Sequence, residues 1–146
     1  MDFNELCLGC RTYRRFEQKE IPEEILTELL ENARVANSAM NGQVLRYVLV
    51  KSQETVKKLQ PYFHFAAALP KELGQPKEGE QPTAFIILCT EGRESPWTDM
   101  DIGIAVRTMN LNAYNHGVGS CILGNVEFES GSSLMKHPDA LYEVCA

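Results

Sequence analysis

Apolar residues recur along this chain with periods that change from segment to segment, and the changes mark out the elements. Asp2 to Cys10 predicts a short helix with Phe3, Leu6 and Cys7 on one face. From Arg11 to Lys19 the period is lost, the segment is strongly basic, and Tyr13 and Phe16 interrupt it, which predicts a loop or extended stretch. Helical spacing returns with Ile25, Leu26, Leu29, Leu30 and Ala33 and fades near Val35. Ile21-Pro22-Glu23-Glu24 opens that helix well, because proline suits a first turn and the two carboxylates face the positive end of the helix dipole. Asn37 to Gln43 is small, polar and without period, hence a loop.

β-Branched and aromatic residues predict a strand over Val44 to Val50, followed by a short helix over Ser52 to Leu59 with Ser52 as its N-cap. Between Pro70 and Pro82 the chain is rich in charge, glycine and proline and reads as a surface excursion, the most mobile part of the protein. Thr83 to Thr90 is apolar on both alternating faces, as a central strand covered on both sides is. Asp99 to His116 is the longest predicted helix. Ile102, Ile104, Ala105, Val106, Met109, Leu111 and Ala113 leave it so little polar surface that burial nearly all round is expected, and His116-Gly117 ends it. Short strands at Ser120 to Leu123 and from Leu141 to Ala146 complete a layered domain of mixed α and β structure.

Composition narrows the function classes. A length of 146 residues predicts one domain over 1–146, and 44% hydrophobic with 23% charged residues removes the disordered and fibrous classes. A net charge of −6 argues against nucleic acid or an anionic membrane as partner. No run approaches the ~20 apolar residues of a membrane span. Met1-Asp2-Phe3-Asn4-Glu5 lacks a basic region followed by an apolar one, so a cytoplasmic protein is expected. The five cysteines, at 7, 10, 89, 121 and 145, have no disulfide-framework spacing, and Cys89 and Cys121 read as small buried hydrophobes. Cys7-Leu8-Gly9-Cys10 is formally a CxxC pair. It lacks the second pair of a zinc ribbon and the flanking strand and helix of a thioredoxin-type site, so coincidence is favoured over redox function. His64, His116 and His137 show no ligand spacing, and no metal site is expected.

Two clusters carry candidate chemistry. In Arg11-Thr12-Tyr13-Arg14-Arg15-Phe16, guanidinium groups beside a hydroxyl suit a phosphate, although a solvated charge run has the same composition. Asn37 to Gln43 offers amides and a hydroxyl able to read the carbonyl and imide edge of a heterocycle, although a polar turn would also look like this. Gly117-Val118-Gly119 is not a dinucleotide fingerprint, because the order here is helix, glycines, strand rather than the reverse. No Ser-His-Asp arrangement is credible.

In their order along the chain these segments resemble the nitroreductase family of FMN-dependent oxidoreductases. That family shows Arg-Arg-Ser-x-Arg-x-Phe near its N-terminus and Pro-Ser-x-x-Asn-x-Gln-Pro-Trp about 25 residues on. Thr98 to Ala105 is similar to its Asp-x-Gly-x-Ala helix, and Gly117 to Gly124 to its Gly-Leu-Gly-x-Cys-x-x-Gly turn and strand. The resemblance implies an α+β fold with a central, mainly antiparallel sheet flanked by helices, and a homodimer with FMN at its interface. Arg11 and Thr12 would then hold the phosphate and ribityl end, and Arg14 the pyrimidine side. Asn37, Ser38, Ala39 and Asn41 would come from the partner chain and cover the isoalloxazine, while Leu123 and Gly124 would offer backbone N–H groups near flavin N5 and O4. No side chain need be catalytic, because the flavin carries the chemistry. The implied activity is ping-pong transfer of hydride from NADH or NADPH to a nitroaromatic, quinone or similar small-molecule acceptor. The alternative is a non-catalytic flavin-binding or regulatory protein of the same fold.

Departures from the pattern accompany the match. Cys10 stands where the family often has its first arginine, Thr12 keeps the hydroxyl of the usual serine, Asn37 replaces proline, and Val44-Leu45 replaces Pro-Trp. The chain ends at Ala146, inside what would be a strand, without the C-terminal arm and basic pair of the family. Arg11, Arg14 and Arg15 nevertheless concentrate positive charge where a flavin phosphate would need it.

Overall fold

Phe85–Cys89 is the strand around which the protein is organised. In a computed structural model, which describes residues 1–66, 68–90, 92, 95–124 and 142–145, the helices are α1 (Phe3–Gly9), α2 (Glu23–Val35), α3 (Gln53–Leu59), α4 (Lys71–Gly74) and α5 (Thr98–Asn115). The strands are β1 (Arg46–Val50), β2 (Phe85–Cys89), β3 (Cys121–Leu123) and β4 (Tyr142–Cys145). They form one sheet in the order β1-β2-β4-β3, every pair antiparallel. The register sets Val48 opposite Ile87, and Ile87 opposite Glu143. This is the mainly antiparallel α+β sheet expected.

Alternation along β2 divides the core in two. Ile86 and Leu88 face α2 and α5, packing with Leu29, Ala33, Ile102, Ala105, Val106, Met109 and Ala113. Phe85 and Ile87 face the other side, with Val56 and Leu59 of α3, Phe63, Phe65, Cys121 and Leu123. The Phe63 and Phe85 rings stack at 4.7 Å. A strand covered on both faces has no polar side, which is why its sequence is continuously apolar.

Four expectations change. First, α5 is not buried all round: Ile102, Ala105, Val106, Met109 and Ala113 face the core, while Met100 (58% exposed), Gly103, Ile104 and Leu111 form an uncovered or half-covered stripe one helical face away. Second, Phe3 is 72% exposed, so α1 packs through half-buried Leu6 and Cys7. Asp2 and Glu5 close its N-terminus in a reciprocal capping box. Third, Ser52 stands at the N-cap of α3 without a side-chain capping bond. Fourth, the 70–82 excursion is tied down: Gln75 bridges the backbone of Phe63 and Phe65, and Phe16 N donates to Glu80 O at 2.9 Å. Leu141, Ala146 and His137 lie outside the described residues, and the strand expected there is seen over Tyr142–Cys145.

Candidate functional site

Cys10 caps the C-terminus of α1 and is buried, its Sγ donating to the Asn110 carbonyl of α5 at 3.6 Å. Past this anchor the basic segment runs alongside β3, where Thr12 bridges Ser120 in parallel and Tyr13 N donates to Ser120 O at 3.0 Å. The approach is close enough to require glycine at 119, since a Cβ there would meet the Tyr13 ring at 2.9 Å. Asn110 Nδ2 donates to Ser120 Oγ at 2.5 Å, both residues being buried, so α5 fixes the start of β3 as well as the start of the arginine segment.

The arginines then separate by role. Arg11 and Thr12 are exposed, and the only hydrogen bond of the Arg11 guanidinium among the described residues goes to the Cys10 carbonyl at 2.9 Å. Arg14 is half-buried, lies close enough to Cys121 to act on its thiol, and has an Nε that is fully buried without a partner. Burial is the larger influence on Cys121 and pushes its thiol up to about 11. Arg15 turns the other way and is consumed structurally, pairing with Glu80 at 2.9 Å and donating to the carbonyls of Leu73 and Gly74. It therefore leaves the cluster to which the sequence assigned it.

β3 is the edge strand of the sheet. Backbone groups alternate sides along a strand, so the Ser120 carbonyl facing Tyr13 sets the backbone of Ile122 and Gly124 on the same open edge. Leu123 sits between them with its side chain in the core, and no described residue lies within 4 Å of a Cβ built on Gly124. Of the expected pair, Gly124 has the open edge.

The 37–43 loop lies elsewhere. Asn37 and Asn41 are exposed, Ser38 and Ala39 half-buried. Ala39 N donates to Oδ1 of buried Asp101 at 2.8 Å, and Ser38 Oγ accepts from Gln43 N at 3.1 Å. Met40, Asn41 and Gln43 all take left-handed backbone, with φ of 52, 55 and 45°, and Met40 is 89% exposed. Three such residues without a glycine among them store strain. The loop meets α5 at Asp101 and the arginine segment meets it at Asn110, nine residues and about 14 Å apart along the axis. No hydrogen bond among the described residues joins the two groups.

A cleft of about 390 Å³ adjoins Asn37, Ser38, Arg46, Tyr47 and Asp101. A larger one of about 770 Å³ is lined by Tyr13, Ile25, Tyr114 and His116 on the side to which Arg15 turns, and Arg11, Thr12 and Arg14 line neither. Beside the larger cleft, Glu28 accepts from Asn112 Nδ2 at 2.9 Å and lies 3.2 Å from His116 Nε2; these contacts hold its carboxyl below the usual range. Among the described residues no three metal-ligating side chains gather, and no helix is long and apolar enough to cross a membrane.

Sequence reading missed Asp101 and Asn110 as the residues that hold the two halves, and Arg107, whose Nη1 reaches Cys10 Sγ at 3.5 Å. The spacing carried a signal: Arg107 and Asn110, three apart on a helix, share a face.

A family model described as the nitroreductase family matches residues 9–145. A protein of Methanothermobacter thermautotrophicus, provisionally named NADH dehydrogenase/NAD(P)H nitroreductase, is 27% identical over 127 residues, 85% of this chain and 61% of that protein. An Archaeoglobus fulgidus protein of the same provisional name is 29% identical over 118 residues, 78% of this chain and 62% of its own. The chain therefore spans about three fifths of the length of these relatives. Among solved structures, a nitroreductase family protein from Clostridium difficile 630 superposes with a TM-score of 0.77 at 20% identity, covering 99% of this chain and 83% of that one. A nitroreductase with bound FMN from Bacteroides fragilis gives 0.73 at 20% identity, covering 99% and 87%.

Proposed function

The chain belongs to the nitroreductase family, and from that premise we propose that it is an FMN-dependent oxidoreductase, working as a homodimer, that takes hydride from NADH or NADPH and passes it on to a small acceptor such as a nitroaromatic or quinone. The observation that carries this reading is the pair Arg11 and Arg14. Both lack a carboxylate partner among the described residues of an acidic chain, and one has a buried, unsatisfied Nε. A buried donor without an acceptor costs about 1–3 kcal/mol, and a ligand oxygen removes that cost. The donor set fits FMN: arginines and a threonine hydroxyl for a phosphate, beside a sheet edge opened at Gly124.

When bound, the flavin supplies the hydride chemistry, alternating between donor and acceptor in a ping-pong cycle. The chain supplies placement. Arg11 and Thr12 bind the phosphate and ribityl end, held in register by the Thr12–Ser120 bridge and, behind it, by Asn110. Arg14 would hold a permanent cation, half-withdrawn from water, on the pyrimidine side of the flavin, where it would favour an anionic reduced ring. Leu123 buttresses the edge from the core, and Gly124 presents backbone groups without a side chain to block approach. Asn37, Ser38, Ala39 and Asn41 serve the partner chain's flavin, which accounts for their separation from the arginines of their own chain. The stripe of α5 on which Met100 is exposed and Ile104 and Leu111 are half-covered supports the dimer this requires.

Anaerobic stopped-flow on the FMN-loaded protein tests the activity. Rapid bleaching of bound flavin by NADH or NADPH, and recovery of colour on adding a quinone, is expected. Flavin that binds and is not reduced by either nucleotide would leave a non-catalytic flavoprotein instead.

A further inference from the structure

We propose that Arg107 of α5 is a second arginine of the phosphate site beside Arg11, supplied by the helix rather than by the basic segment; this rests on the flavin reading above. Two guanidinium groups converge on one residue. Arg11 Nη1 donates to the Cys10 carbonyl oxygen at 2.9 Å, and Arg107 Nη1 reaches Cys10 Sγ at 3.5 Å. Neither has a carboxylate partner among the described residues, in a chain with 20 acidic side chains, where Arg15 pairs with Glu80 and Arg34 with Glu31. Two cations that bond the same residue, with no carboxylate partner among the described residues, are an arrangement an anion stabilises.

The chemistry narrows the anion. Each guanidinium has five N–H donors in a planar fork, and a carbonyl or a thiol sulfur, a weak acceptor, uses one of them. The unused donors match the tetrahedral, doubly charged oxygens of a phosphate monoester better than a single carbonyl. Placement is consistent. Arg107 stands one helical turn from Asn110, the residue whose carbonyl anchors Cys10, so its side chain lies on the face turned to the start of the arginine segment while the residue as a whole stays exposed. Arg11 and Arg107 then approach the phosphate end from the segment and from the helix. Arg107 selects for the phosphorylated flavin without touching the ring.

The test compares FMN with riboflavin, which differs by the phosphate alone, through fluorescence titration of the flavin-free full chain and its Arg107→Ala and Arg107→Lys variants. Because Arg107 is exposed on a helix, neither change threatens folding. FMN should bind the Ala variant on the order of tenfold or more weakly, with riboflavin unchanged and the Lys variant in between. Unchanged FMN affinity in the Ala variant would overturn the assignment while leaving the flavin reading intact. Equal weakening of both flavins would also overturn it, making Arg107 a packing or interface residue. A wild-type chain that binds neither flavin would remove the flavin reading itself, and this assignment with it.

Discussion

Arg14 shows how one side chain can be a cost to the fold and an asset to the site. Its Nε is shut away from water with no acceptor, so the flavin-free protein carries a desolvated donor that a ligand would satisfy. Replacing Arg14 with methionine keeps the apolar stem and removes the orphan. It should raise the melting temperature of the flavin-free protein, reflecting about 1 kcal/mol, while weakening FMN binding by on the order of tenfold. Calorimetry and flavin titration on the same variant check both signs. Cys121 gives a prediction from pH. Its thiol is raised from 9.0 to about 11, chiefly by burial, so the folded state holds this proton after the unfolded chain has lost it. Stability is then complete below pH 9, falls as pH rises from 9 to 11 and levels off above that, a contribution of on the order of 2–3 kcal/mol. A Cys121→Ala variant, followed by denaturant titration across that range, should lose this slope.

At the scale of elements, what could be read from sequence and what could not have separate causes. β2 was legible because a strand covered on both faces must be apolar throughout, and α2 because one stripe of leucines repeats at helical spacing. The arginine segment was legible as a motif, but Arg15 could not be told from Arg14, since Glu80 lies 65 residues away and only folding brings them together. Asp101, though part of the Asp-x-Gly-x-Ala match, had no readable role, and Asn110 had no signal, for the same reason: a polar residue on a buried helical face gains meaning only from the backbone it meets. The 37–43 loop is legible as a loop, while its left-handed backbone at Met40, Asn41 and Gln43 is not written in residue types that favour it, asparagine excepted. That strain can be measured. Met40→Gly should stabilise the chain by about 0.5–1 kcal/mol, whereas Asp101→Ala, which leaves Ala39 N without its acceptor, should destabilise it by about 1–3 kcal/mol. Equal and small effects of the two changes in chemical denaturation would mean that the loop is not held as described.

At the scale of the whole molecule, α5 was misjudged because apolar character does not say what covers a residue. Met100, Ile104 and Leu111 belong to the same hydrophobic run as the core residues, yet Met100 is exposed and Ile104 and Leu111 only half-covered, and none of the three joins a buried cluster among the described residues. A net charge of −6 opposes indiscriminate association, so a face of this kind suits one defined partner, and in the proposed dimer a second copy of the chain would also bring its 37–41 loop to the arginine segment. Ile104→Glu should therefore dissociate the protein and lower FMN affinity together, although Ile104 touches neither half of the site. A variant that dissociates and keeps its flavin would separate the two and place the whole site within one chain.

The most direct test is sedimentation of the full chain with FMN, followed at the flavin absorbance. Two-chain flavin sites predict yellow material moving at twice the 16.4 kDa chain mass with one FMN per chain. Flavin that stays free of the protein, or that sediments with a single chain, would contradict the account.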